Sequence, residues 1–421
     1  MRRKLLLIVS VFFLCNNAKG QFLMDMIDTT TELGKGMLSL YKKYDAVRLS
    51  GYIQPQFQYA QGKGIESYAG GNFPASVNNR FMLRRGRFRL DYQHYDPHGM
   101  PQVQIAFQFD GTEKGVFIRD FFGRLFENRW DMFSVTTGMF ARPFGFEVNL
   151  SSGDRETPER GRMTQILMKT ERDLGAMVSF EPRRKGNVFR FMRIDAGFFN
   201  GQGLSGTTDF DSHKDLIARL SIKPQRLNAA NWLLSGSVSC LYGGMEQFTN
   251  YIYKNGGVDS SMSNIGKIAP RHYYGSDMQL KIPNGKGRGF TELRGEYIRG
   301  VQTATAGTTE TPGTVPVGPL YIRNFDGAYF YFLQNLGNPR DLLVMKYDWY
   351  DPNRNVSGRR VDQTKADIRY DTYGAGYVHY FNANTKVMLF YDWVINEATS
   401  VPGYTEDVKD NVFTCRIQYR F

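Results

Sequence analysis

Cysteine is scarce in this chain: 421 residues carry three, at positions 15, 240 and 415. Cys240 and Cys415 lie too far apart to form a disulfide framework, so stability has to come from hydrogen bonding and burial. Long apolar runs are missing too. The mean hydropathy is −0.43, and beyond the extreme N-terminus no stretch approaches the roughly 20 apolar residues that a spanning helix needs. That excludes a bundle of membrane helices. Histidine is limited to five residues, His94, His98, His213, His272 and His379, none in a nucleophile motif or at zinc-ligand spacing. With no phosphate-cradling glycine loop either, the sequence points away from an enzyme, and no cofactor, metal or nucleic-acid partner is expected. What the chain does have is 25 tyrosines, 32 phenylalanines and 44 glycines against four tryptophans. Aromatic content of 14% excludes a disordered acidic chain and favours many strands.

Residues 1–20 read as a secretory signal. Arg2, Arg3 and Lys4 precede an apolar core from Leu5 to Leu14, and Ala18-Lys19-Gly20 offers a small-x-small cleavage site before Gln21. Cys15 raises a lipoprotein alternative, against which Leu14 stands where a small residue is needed. Removing Arg2, Arg3, Lys4 and Lys19 lowers the formal charge from +12 to +8. Residues 21–46 space Leu23, Met26, Ile27, Leu33, Met37, Leu38 and Tyr41 as a helix does, which predicts a short periplasmic helical segment or a small plug.

From residue 47 to 421 the sequence alternates with period two. In the first segment Leu49, Ile53, Phe57 and Tyr59 share one face, and Arg48, Gln54, Gln56 and Gln58 the other. Sixteen such segments can be placed. Short turns such as Asp96-Pro97-His98-Gly99 and Asn382-Ala383-Asn384 alternate with long polar connections such as 60–79, 141–171 and 396–409. An even strand number with all long loops at one end predicts an all-β, 16-stranded antiparallel transmembrane β-barrel. Its short turns would be periplasmic and its long loops extracellular. The last strand alternates apolar residues up to Phe421.

Membrane energetics assign the faces. An arginine turned to lipid near the midplane costs roughly 2–4 kcal/mol, so Arg85, Arg87 and Arg89 should face the lumen and Phe88, Leu90 and Tyr92 the lipid. Barrel closure brings Arg48 of the first strand and Arg416 and Arg420 of the last beside them, a basic wall over three strands opposed locally only by Asp91. The connection 141–171 adds Arg142, Arg155, Arg160 and Arg162 as candidates for a constriction, since a loop of that length invites a functional reading. Elsewhere the expected inward charges nearly cancel, among them Glu296, Asp348, Asp371 and Asp392 against Arg294, Lys346, Arg369 and Lys386.

The opening GYIQPQFQY, the strand NRFMLRRGRFRLDY, GMFARPFGFE followed by SSGDRETPERGRM, AGFFNGQG, KYDWYDPN and the Phe-terminal last strand together resemble the phosphate-selective porin O and P family in its Bacteroidetes-type form. The resemblance covers most of 47–421. It implies a homotrimeric channel in the Gram-negative outer membrane that conducts phosphate or related small anions. The terminal Phe421 resembles the signal read by the barrel-assembly machinery. Two other readings compete: a general, weakly selective diffusion porin with a transverse field, and a structural or adhesive barrel that displays its loops.

Overall fold

The computed structural model describes residues 46–421 apart from 207, 228–230, 255–256 and 361–363. The expected signal peptide and helical segment, 1–20 and 21–46, fall outside the described residues except at Ala46. Eighteen strands occur among the described residues, and sixteen of them close one antiparallel barrel. They are β1 (Val47–Ala60), β2 (Asn79–Tyr95), β3 (Pro101–Thr112), β4 (Gly115–Phe126), β5 (Phe133–Ala141), β6 (Arg172–Phe180), β7 (Met192–Phe199), β8 (Asp215–Arg226) and β9 (Leu233–Glu246). After two loop strands come β12 (Ile268–Pro283), β13 (Phe290–Ala304), β14 (Leu320–Asn335), β15 (Asp341–Asp351), β16 (Tyr370–Tyr380), β17 (Thr385–Asn396) and β18 (Val412–Arg420).

Each barrel strand pairs with its neighbour in order, β9 with β12, and β18 returns to β1 with Gln56 opposite Arg416 and Tyr52 opposite Arg420. Closure leaves the sixteen-stranded wall without a free sheet edge among the described residues. The two remaining strands, β10 (Tyr251–Lys254) and β11 (Gly257–Ser260), form a hairpin inside the connection 247–267, and β10 runs parallel to the start of β14. Periodicity alone does not foretell this hairpin.

The alternation follows the expected faces. On β6 Asp173, Met177 and Ser179 are buried, while Leu174 and Val178 are about half exposed. Large exposed side chains such as Ile105, Val135, Phe198, Met278, Phe330, Met345 and Trp393 recur around the outer wall. A water-soluble protein rarely shows so extensive an apolar surface; a bilayer makes it favourable. Two assignments fail, Asp371 and Arg369: Asp371 lies at an outward position of β16, in the parity of Tyr373, where it accepts from Tyr347 and from Arg369 just before the strand. Near a strand end a charge reaches polar surroundings, so the midplane penalty does not apply.

The interior is not an empty lumen. The connection 142–171, including the helix α1 (Arg162–Leu167), inserts Phe144, Val148, Met163, Leu167 and Met168 into a core shared with Tyr273, Ile298, Phe325, Tyr329 and Tyr331 of the inner wall. Each large side chain buried in this way contributes about 1.5–3 kcal/mol. This core explains why β14 carries aromatics on both faces. Phe330 meets lipid, whereas Phe325, Tyr329 and Tyr331 meet the infolded loop.

Gly145 anchors that loop. Its φ is +60°, and a Cβ there would lie 1.9 Å from Glu296 Oε1. Glu296 Oε2 is already committed: it accepts from the backbone N–H of Phe146 and Glu147 at 3.1 Å each and from Tyr329 Oη at 2.7 Å. Gly145→Ala therefore costs about 1–2 kcal/mol in backbone strain and displaces Glu296. Limited proteolysis of the folded barrel should cut 142–171 faster in this variant, and an unchanged cleavage rate would contradict the anchoring role.

Candidate functional site

The arginines of β2 project inward as expected, but none stands alone. Arg85 is 7% exposed and donates to Glu159 at 2.7 Å. Arg87 reaches Asp110 at 3.2 Å, and Arg89 binds Asp91 at 2.6 Å and Asp120 at 2.7 Å. Arg416 donates to Gln56 Oε1 and Glu159 Oε1, both at 2.8 Å, while the exposed Arg420 pairs with Asp154 at 2.8 Å. The expectation that only Asp91 opposes this wall is thus corrected. Asp110 comes from β3, next to β2, Asp120 from β4 beyond it, and Glu159 from the infolded loop. Arg48 is exposed at the start of β1. Phe421 is exposed too, and its backbone exchanges hydrogen bonds with Gly51.

Glu159 is the knot of the arrangement. Burial alone would raise its pKa, yet Arg84, Arg85 and Arg416 converge on it and hold its carboxyl well below the usual carboxylate range. Glu171, at the end of the loop, receives Arg119, Arg160 and, at 3.6 Å, Arg172. Their charges overcome burial in the same way. Arg119 faces inward because of a bulge: Gln108 pairs with Asp120 and Phe109 with Ile118, so the extra residue Arg119 shares the inner side with Asp120. Strict alternation hides this arginine.

The four loop candidates take different roles. Arg142 is buried and bonds the carbonyl of Thr170. Arg160 donates to the Glu147 carbonyl at 2.9 Å as well as to Glu171. Arg162 stacks on Tyr370, 3.6 Å from the ring centroid, with Asp410 at 3.9 Å. Arg155 differs from all of them. It is 2% exposed, and Nε, Nη1 and Nη2 have no hydrogen-bond partner. Its backbone carbonyl accepts from Lys386 at 2.8 Å, which fixes its place. Burial, with Arg160 and Arg85 close by, pushes its pKa down to about 9.

Around these groups lies a cavity of about 480 Å³ lined by Arg84, Arg85, Arg87, Arg119, Arg160 and Lys169 together with Glu66, Asp110, Glu159, Glu171 and Glu310. On β12, β13, β15 and β17, Asp277, Glu292, Glu296, Asp348 and Asp392 belong to a mixed sector of the inner wall, in which Arg294 pairs with Glu292 at 2.5 Å and Lys346 with Asp348 at 3.0 Å and Asp392 at 3.4 Å. The loop bridges the two sectors. Glu156 receives both terminal nitrogens of Arg294, at 2.7 and 2.8 Å, and the Arg162 backbone N–H donates to Asp348 at 3.0 Å.

No family model matches this sequence, and no curated protein matches it either. Solved structures do. The barrel is similar to Pseudomonas putida OprB, at 9% identity and a TM-score of 0.58, over 93% of this chain and 98% of that one. An anion-selective porin from Comamonas acidovorans aligns at 13% identity and a TM-score of 0.54, over 89% and 99%. The outer-membrane channel DcaP of Acinetobacter baumannii aligns at 12% identity and a TM-score of 0.54, over 89% and 97%. At these identities the likeness establishes the porin-type barrel fold.

Proposed function

We propose that the chain is a passive outer-membrane diffusion channel that prefers small anions, oxyanions such as phosphate among them. The observation that carries this reading is a cavity lined by five arginines, with a sixth, the buried Arg155, near Arg85 and Arg160 of that lining and without a hydrogen-bond partner for its guanidinium. Glu159 and Glu171 each serve several arginines, so the positive charge around the cavity is only partly neutralised. Low-dielectric walls focus such a field and raise the local concentration of the opposite ion. The guanidinium fork also matches the oxygens of phosphate or carboxylate. The resemblance of the β2 arginine strand to that of phosphate-selective porins supports the oxyanion choice. A homotrimer delivered by the barrel-assembly machinery belongs to the same reading.

The carboxylates elsewhere on the inner wall, Asp277, Glu292, Glu296, Asp348 and Asp392, favour a second reading, a weakly selective porin with a transverse field. Phosphate separates the two. In planar bilayers, inorganic phosphate at about 1 mM should reduce the chloride current, and Arg155→Gln should weaken that block about tenfold, equivalent to ~1.4 kcal/mol. A chloride current indifferent to phosphate would leave the transverse-field reading in place.

A further inference from the structure

A second cavity, about 380 Å³, opens among the long loops and is built differently. Four tyrosines line it, Tyr68, Tyr350, Tyr370 and Tyr404, with Arg162 and Asp410 among them. Its volume falls within the roughly 300–1,000 Å³ of small-molecule pockets. Arg162 is held rigidly, its guanidinium 3.6 Å from the centroid of Tyr370 and 4.9 Å from that of Tyr68. Asp410 faces it with Oδ2 3.9 Å from Nη2.

Two polar atoms in this pair have no hydrogen-bond partner: Arg162 Nε, a donor, and Asp410 Oδ1, an acceptor. Both side chains are more than nine-tenths buried. Such groups cost on the order of 1–3 kcal/mol each until a partner satisfies them, and the two ask for opposite things. An anion satisfies Arg162 and is repelled by Asp410; an ammonium ion does the reverse. The other charged pair at the wall, Lys365 with Glu66 at 2.9 Å, is already neutralised. A hydroxyl donates and accepts at once, so neighbouring hydroxyls on one neutral ring can satisfy both atoms while the apolar C–H face of the ring lies on a tyrosine.

We propose that this cavity is a recognition site for a neutral carbohydrate at the long-loop mouth of the barrel. It is distinct from the arginine cavity in ligand charge, and it does not depend on the anion reading.

The test is current block in planar bilayers by maltose and by sucrose, with each sugar added to either side in turn, and with glycine as a zwitterionic control. We expect at least one of the two sugars to interrupt the ion current at about 10 mM from the long-loop side. Asp410→Ala and Tyr404→Ala should each weaken the block about tenfold while keeping the heat-modifiable migration of a folded barrel. Indifference to both sugars, block by glycine alone, or sugar block untouched by both substitutions would each overturn the proposal.

Discussion

Replacing Arg85, Arg87 and Arg89 together by glutamine should turn the channel from anion to cation preference. The substitution removes three inward charges and leaves Asp91, Asp110 and Asp120 facing the lumen without their partners on β2. Glu159 keeps Arg84 and Arg416. A unit charge about 6 Å from a passing ion contributes roughly 3 kcal/mol at an effective dielectric of 20, and salt screens it over about 10 Å. Three such charges amount to about 8 kcal/mol, and even a third of that exceeds the ~1.4 kcal/mol that corresponds to a tenfold change. The ratio of chloride to potassium permeability should therefore fall at least tenfold. An unchanged ratio in a folded variant would mean that the β2 arginines only brace the loop.

The second large effect belongs to Glu159. Its carboxylate is the shared partner of Arg84, Arg85 and Arg416, and it ties the infolded loop to the β18–β1–β2 side of the barrel. Breaking a buried pair by removing one partner typically costs 3–5 kcal/mol. Arg416 would retain Gln56, and Arg85 only a 3.4 Å contact with Gln54. In Glu159→Ala the loop should swing away from that wall while Glu156–Arg294 and the amides on Glu296 hold its other edge. Single-channel recordings should show a larger conductance with more open-state noise. A native conductance in the folded variant would contradict the strut role.

The barrel was legible because a membrane imposes two simple rules, period-two alternation and the exclusion of charge from lipid, and both act within one strand. The faces of β2 and the positions of nearly all sixteen strands follow from them. What escaped is governed by contacts between distant segments. The carboxylates that match the arginine wall lie on β3, β4 and the loop, and Glu159 sits 74 residues from Arg85. Arg119 needs the bulge opposite Gln108 before it can face inward. The double aromatic face of β14 blurs its alternation for a physical reason, because the inner face packs on a loop and not on water. The unpartnered state of Arg155 is visible only once every neighbour is in place, although its position in a long arginine-bearing loop already marked it as a candidate.

The central claim is that an incompletely neutralised arginine cluster sets the ion preference. The most direct measurement is the reversal potential of the native protein in a planar bilayer across a potassium chloride gradient. The account predicts a potential on the chloride side of zero that shrinks in Arg155→Gln. A potential on the potassium side in the native protein would contradict it.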